Sequence, residues 1–220
     1  MKYDGIIFDF DGVLVESEAA GNEHLPRLLT DLGHPTTREE ALTRYTGLSG
    51  RDFIDAIEAR IGGPLPTDFY ARRAEEDARA LAQGVGEVAG AVAFVRSLPA
   101  DWPKAIASSS STRWIEAHLR HLDLLSRFAG RIFSGKEHVK RGKPAPDIYL
   151  HAAAALGIGI DRTVILEDSE VGVRGAVASG AIVIGVAAGT HCLPGHADRL
   201  RALGANAVAE SFDEVAAMVF

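Results

Sequence analysis

One cysteine in 220 residues, two tryptophans and no apolar run of membrane-spanning length set the first limits on this chain. Cys192 has no second thiol to pair with. An intramolecular disulfide is excluded, and a reducing compartment, the cytoplasm, is the expectation. The opening run MKYDGIIFDFDG is broken by Asp9 and Asp11, so it does not read as a secretory signal. No stretch reaches the roughly 18 apolar residues that would cross a bilayer. Excess positive charge is also missing, since the net charge is −7. Backbone binding of nucleic acid needs clustered Lys and Arg, so nucleic acid is not expected as a partner. A local group of cations can still capture a small anion within an acidic protein.

What is present is an ordinary globular composition, 47% hydrophobic and 24% charged, with enough chain to bury a large core. Six short apolar runs read as strands: Tyr3 to Phe8, Lys104 to Ala107, Arg131 to Phe133, Thr163 to Leu166, Ile182 to Val186 and Ala207 to Ala209. Helical patterns fall at Val88 to Leu98, Thr112 to Leu122, Pro146 to Leu156, Val171 to Ser179 and Phe212 to Met218. Such alternation predicts right-handed crossovers and a parallel sheet covered on both faces. From about Glu16 to Gly86 the strands stop. Glu18 to Leu32, Arg38 to Thr46, Gly50 to Ile61 and Thr67 to Gln83 are rich in good helix formers. The expectation is a three-layer α/β/α, Rossmann-like core over 1–15 and 87–220, with an all-helical cap over 16–86 inserted after the first strand. That position lies above the carboxyl edge of the sheet, where open α/β folds bind ligands.

Four loops could carry chemistry. Asp9-Phe10-Asp11-Gly12 ends the first strand, and alternate residues of an extended chain face the same side. Two neighbouring carboxylates repel unless a cation or a proton intervenes. Oxygen ligands suit Mg²⁺, but the pair reads equally well as a solvated turn. Glu167-Asp168 repeats the acidic strand end; Asp168 or the following Ser169 would also serve as a helix N-cap. Ser108 to Ser111, at another strand end, offers an anion site or a plain helix cap. Gly142-Lys143-Pro144-Ala145-Pro146-Asp147 would hold an ammonium on a stiff loop before a helix. Gly84-Val85-Gly86-Glu87-Val88-Ala89 imitates a dinucleotide fingerprint. It follows a helix rather than a strand, so it reads as the return to the core.

The joint occurrence and order of these loops resemble the haloacid dehalogenase superfamily, in the branch with a helical cap. β-Phosphoglucomutase-like and 6-phosphogluconate-phosphatase-like proteins belong to that branch. The resemblance rests on Asp9-Phe10-Asp11-Gly12-Val13-Leu14, Ser108, Lys143 and Glu167-Asp168-Ser169 with Gly172 and Gly175-Ala176, and it spans nearly the whole chain. It implies a phosphoric monoester hydrolase in which Asp9 is the nucleophile and Asp11 the acid and base. Ser108 and Ser109 with Lys143 would bind the phosphoryl group. Mg²⁺ would be held by Asp9, the main-chain carbonyl of Asp11 and Asp168, with Glu167 close by.

Departures narrow the branch. Asp11 argues against carbon–halogen chemistry. The absence of lysine between Lys2 and Lys104 closes a Schiff-base route. Gly21 and Gly50 stand where a mutase would need a cap histidine and arginine, which favours hydrolysis. Candidate specificity residues are Glu16, Ser17, Glu18 and Asn22 near the first hinge and Thr46, Ser49 and Arg51 in the next turn. Arg51 reads either as a clamp for a second anionic group or as a solvated helix start. The tail Gly189-Thr190-His191 to His196-Ala197-Asp198-Arg199-Leu200, followed by Gly204-Ala205, is similar to the 6-phosphogluconate-phosphatase-like group, and its histidines read as structural. The expected partner is a small phosphorylated metabolite, a sugar or sugar-acid phosphate such as 6-phosphogluconate. No membrane is expected. The alternatives are a sugar-phosphate mutase and a non-catalytic phospho-ligand sensor. Oligomeric state is left open, and a monomer is compatible with it.

Overall fold

The computed structural model describes residues 2–45, 48 and 50–220, apart from the side chains of 18–23. Six parallel strands form one sheet: β1 (Gly5–Phe8), β2 (Lys104–Ser108), β3 (Ile132–Ser134), β4 (Thr163–Glu167), β5 (Ile182–Val186) and β6 (Ala207–Ala209). Their order is β3-β2-β1-β4-β5-β6, so the chain starts in the middle and winds outward on both sides. Phe8 registers with Ile106 of β2 and with Leu166 of β4. All three central strands therefore end at one edge, side by side.

Alternation along each strand divides the residues between two cores. Ile6, Phe8, Ile106, Val164, Leu166 and Ile184 belong to one, and Ile7, Ala105, Ala107, Ile165 and Val183 to the other. The first core is covered by Phe94, Ile115, Leu119, Phe212 and Val215. These lie on α5 (Ala91–Ser97), α6 (Thr112–His121) and α10 (Phe212–Val219). The second is covered by α7 (Asp147–Leu156), α8 (Glu170–Ser179) and α9 (His196–Ala202) through Tyr149, Ala152, Val173, Ala176 and Leu200. Each fully buried aromatic or aliphatic side chain contributes roughly 1.5–3 kcal/mol. Lys104 is the one buried cation within the strands. Its Nζ donates to the carbonyls of Pro99, Ala100 and Trp102 at 2.8–3.1 Å, which satisfies the ammonium at the sheet's far edge.

Between β1 and α5 lie α1 (Ser17–Asp31), α2 (Arg38–Tyr45), α3 (Gly50–Ile61) and α4 (Thr67–Gln83). They share a separate apolar cluster of Leu25, Leu28, Leu29, Tyr45, Ile57 and Phe69. Two strands of connecting chain lie side by side below it. Val15 bridges Glu87, the Glu16 N–H donates to Gly86 O, and the Val88 N–H donates to Leu14 O. The Gly84 to Ala89 segment is thus the return path, not a nucleotide loop. Among the described residues no helix is long and apolar enough to cross a membrane.

Candidate active site

Because β1, β2 and β4 are parallel and in register, Asp9, Ser108 and Glu167 stand together at their carboxyl ends. Asp9 is buried, its N–H tied to Leu166 O at 2.9 Å. Lys143 arrives from the loop between β3 and α7. Its side chain is 5% exposed, and its Nζ donates to Asp9 Oδ1 at 2.5 Å and to Glu167 Oε1. Burial pulls the lysine's pKa down, but the carboxylates of Asp9 and Glu167 outweigh it and hold the ammonium well above its ordinary value. Burial also raises the Asp9 carboxyl well above the usual carboxylate range, and Glu167 adds to that against the pull of Lys143. With only these neighbours, an ionised Asp9 is costly.

Glu167 holds the lysine in place. Its carboxylate also accepts from Tyr149 Oη at 2.6 Å and from the Ser169 N–H and Oγ at 3.2 and 3.1 Å. The motif glycine Gly172 makes room for it, since a Cβ there would fall 2.1 Å from the carboxylate. The nearest oxygens of Asp9, Glu167 and Asp168 lie within 4.8 Å of one another. Asp168 Oδ1 is buried with no hydrogen-bond partner among the described residues. A bare buried carboxylate oxygen beside an Asp9 that resists ionisation fits a hard divalent cation. This acidic cluster can hold one.

Asp11 stands apart from that cluster. Its Oδ1 accepts from Ser17 Oγ at 2.6 Å and from Trp114 Nε1 at 3.0 Å. Its Oδ2 accepts from Ser110 Oγ at 2.6 Å and Ser108 Oγ at 3.3 Å. Four donors thus hold one carboxylate, drawn from β2, the serine loop, α6 and the start of α1. The serine run divides its roles between residues. Ser111 caps α6 by accepting from the Trp114 N–H, while Ser108 faces the site and accepts from the Ser110 N–H. Ser169 likewise caps α8, through the Gly172 N–H, which leaves Asp168 free for the site.

Ser109, expected beside the phosphoryl group, is exposed and directly follows Ser108 at the end of β2. Arg51 is exposed and pairs along its own helix with Asp55 at 2.7 Å and Glu58 at 3.5 Å. Glu16 accepts from the Thr190 N–H and Oγ1 at 2.9–3.1 Å. Thr46 and Ser49 lie outside the described residues, as do the side chains of Glu18 and Asn22. Sequence reasoning missed Trp114 and Tyr149. Each is the third residue of a helix that follows a motif loop, and nothing in its local sequence marks the inward hydrogen bond.

The model of the haloacid dehalogenase-like hydrolases matches residues 6–186. Hexitol phosphatase A of Escherichia coli (strain K12) is 33% identical, over 84% of this chain and 84% of its own. The 6-phosphogluconate phosphatase of the same strain is 25% identical, over 88% of this chain and 86% of its own. A family hydrolase from Deinococcus radiodurans R1, solved with bound phosphate and sodium, superposes with a TM-score of 0.83. It is 31% identical and the match covers 99% of this chain and 95% of that one. With the family model matching most of its length, the same fold in the solved relatives and phosphatases among the curated ones, the chain belongs to the haloacid dehalogenase-like hydrolase family and is one of its phosphatases.

Proposed function

We propose that this chain is a Mg²⁺-dependent phosphatase of sugar or sugar-acid phosphates, cytoplasmic, working through an aspartyl phosphate on Asp9. The observation that carries the reading is the meeting of Asp9, Lys143, Asp168 and Ser108 at one end of β1, from four separate loops. Asp9 attacks phosphorus in line; the Asp9 oxygen–phosphorus bond forms as the ester bond breaks. Asp11 gives its proton to the leaving alkoxide. It then takes a proton from water as that water attacks the aspartyl phosphate, and inorganic phosphate leaves. Lys143 balances charge on Asp9 and the phosphoryl oxygens, while Glu167 and Tyr149 fix the lysine. Ser108 and the Ser109 N–H bind phosphoryl oxygens. Mg²⁺ would be held by Asp9, Asp168 and the Asp11 carbonyl and would supply charge neutralisation for the transfer.

Residues 16–86 act as a cap over a core of 1–15 and 87–220, hinged where 14–16 and 86–88 run side by side. Ser17 joins that cap to Asp11, so cap position and proton transfer are connected. The cap chooses the sugar. Relatives that act on hexitol phosphates and 6-phosphogluconate favour an acyclic or acidic six-carbon phosphate. Gly21 and Gly50 favour hydrolysis over mutase chemistry.

The test is phosphate release with Mg²⁺ across sugar phosphates, sugar-acid phosphates and nucleotides. Hexitol phosphates and 6-phosphogluconate are expected to exceed nucleotides at least about tenfold in kcat/KM, a difference of ~1.4 kcal/mol in transition-state binding. β-Glucose 1-phosphate should give free phosphate. Isomer without phosphate would instead make the chain a mutase, and no release from any compound would favour a phospho-ligand sensor.

A further inference from the structure

The segment Gly189-Thr190-His191 to His196 was set aside as structural in the sequence, and the reaction above does not use it. In the fold it lies against the metal-binding edge. His191, 3% exposed, puts Nε2 2.8 Å from Asp168 Oδ2. His196 donates from Nε2 to the main-chain oxygen of the same Asp168 at 2.7 Å. One aspartate is thus gripped twice, at its carboxylate and at its backbone, by two imidazoles from one loop.

The space for this grip is built in. A Cβ on Gly189 would lie 2.4 Å from His191 Cε1, and one on Gly12 would lie 3.0 Å from it and 2.1 Å from Asp168 Oδ2. The loop is also pinned from outside, where Thr190 donates to Glu16. Inside, the imidazole has little other polar employment. His191 Nδ1 is buried with no partner among the described residues, and Cys192 Sγ lies 3.6 Å from Nε2. His191, Cys192 and His196 could in principle gather a soft cation. Doing so would take both imidazoles off Asp168, so the trio is better explained as support for that residue.

The consequence lies in the two oxygens of Asp168. Oδ2 is tied to His191 and Oδ1 is buried and bare, and the Asp168 carboxylate has an oxygen within 4.8 Å of oxygens of Asp9 and Glu167. A carboxylate free to turn would offer either oxygen and would lose rotational freedom on binding a cation. One held by Oδ2 presents Oδ1 ready. We propose that His191 is a positioning residue for the metal site: its Nε2–H fixes the rotation of Asp168 so that Oδ1 faces the cation. This inference rests on the Mg²⁺ reading above. Hydrogen-bond partners of metal ligands are worth about 10–100-fold in affinity.

The test is calorimetric titration of Mg²⁺ into metal-free protein, which reads binding without turnover. His191→Leu removes the donor and keeps an apolar volume. His191→Gln places an amide N–H near the position of Nε2. His191→Leu should bind Mg²⁺ at least about tenfold more weakly than wild type, and His191→Gln should stay within about threefold of it. Wild-type affinity in His191→Leu, or an equal loss in both variants, would overturn the proposal. If circular dichroism shows His191→Leu unfolded, His191→Gln decides: near-native affinity supports the donor's role and a tenfold loss refutes it. Wild-type protein and Asp168→Asn separate this from the parent reading. No Mg²⁺ binding by wild type would defeat the metal site itself. Binding that Asp168→Asn abolishes and His191→Leu leaves intact would defeat only the role of His191.

Discussion

Asp9→Asn should lower turnover by at least about 10⁴-fold while the protein stays folded. The amide is no nucleophile toward phosphorus, so the covalent step is lost rather than slowed. The fold should survive because the substitution is nearly isosteric and because ionised Asp9 is itself a burden. Burial raises its pKa, and Glu167 adds to that against Lys143. A group whose folded-state pKa is raised costs stability as pH climbs through that value, since the folded state holds the proton longer than the unfolded chain does. Asparagine imitates the neutral form at every pH, and Lys143 keeps its bond to Glu167. A melting midpoint equal to or above wild type at neutral pH, measured without metal, is therefore expected beside the lost activity. Unfolding would shift the role of Asp9 from chemistry to structure. Turnover above a few per cent of wild type would remove it from the nucleophile's role.

Chelation is the second large effect. EDTA should reduce phosphate release at least about 100-fold, and excess Mg²⁺ should restore it, because neutralising a transferring phosphoryl group is worth several kcal/mol. The acids of the site cannot supply that charge. Asp9, Glu167 and Asp168 contribute three carboxyl groups, of which Lys143 bonds Asp9 and Glu167 and His191 bonds Asp168, so neither cation stands free for the phosphoryl group. Ca²⁺ should restore far less. It takes 6–8 ligands at longer distances, whereas the few protein oxygens here, completed by water and phosphate, suit an octahedral ion. Steady-state assays with each ion after dialysis against EDTA check this. Activity that persists through dialysis would contradict it.

Much of this molecule was legible from its sequence, for identifiable reasons. Strands buried on both faces leave continuous apolar runs, and Ile6-Ile7-Phe8 with Val164-Ile165-Leu166 marked the centre of the sheet. The bounds of α3 and α4 were read directly, because Gly50 and the Pro66-Thr67 step punctuate the helical pattern. Where tertiary contacts override local preference, the reading slipped. A helix was expected from Val88, yet the Val88 N–H is drawn to Leu14 O and the helix begins at Ala91. The seven-residue α9 was not anticipated; its N-cap is a left-handed Gly195, with none of the usual side-chain cap.

The core of the candidate site was legible because Asp9, Ser108 and Glu167 stand at the ends of three neighbouring strands, and because two prolines mark the loop that brings Lys143 to them. Its supports were not. Trp114 reaches Asp11 across 103 residues and His191 reaches Asp168 across 23. Such pairings depend on how α6 and the loop after β5 lie against the sheet edge, which no local pattern encodes. Arg51 shows the opposite limit. Its chemistry suits an anion clamp, and its helix supplies two nearer carboxylates.

The claim beneath all of this is that the phosphoryl group is carried by the protein between substrate and water. The stereochemical course at phosphorus tests it most directly, using an isotopically chiral phosphate ester of the best substrate. Two in-line displacements, first by Asp9 and then by water, predict net retention of configuration. Net inversion would mean a single direct attack by water and would contradict the account.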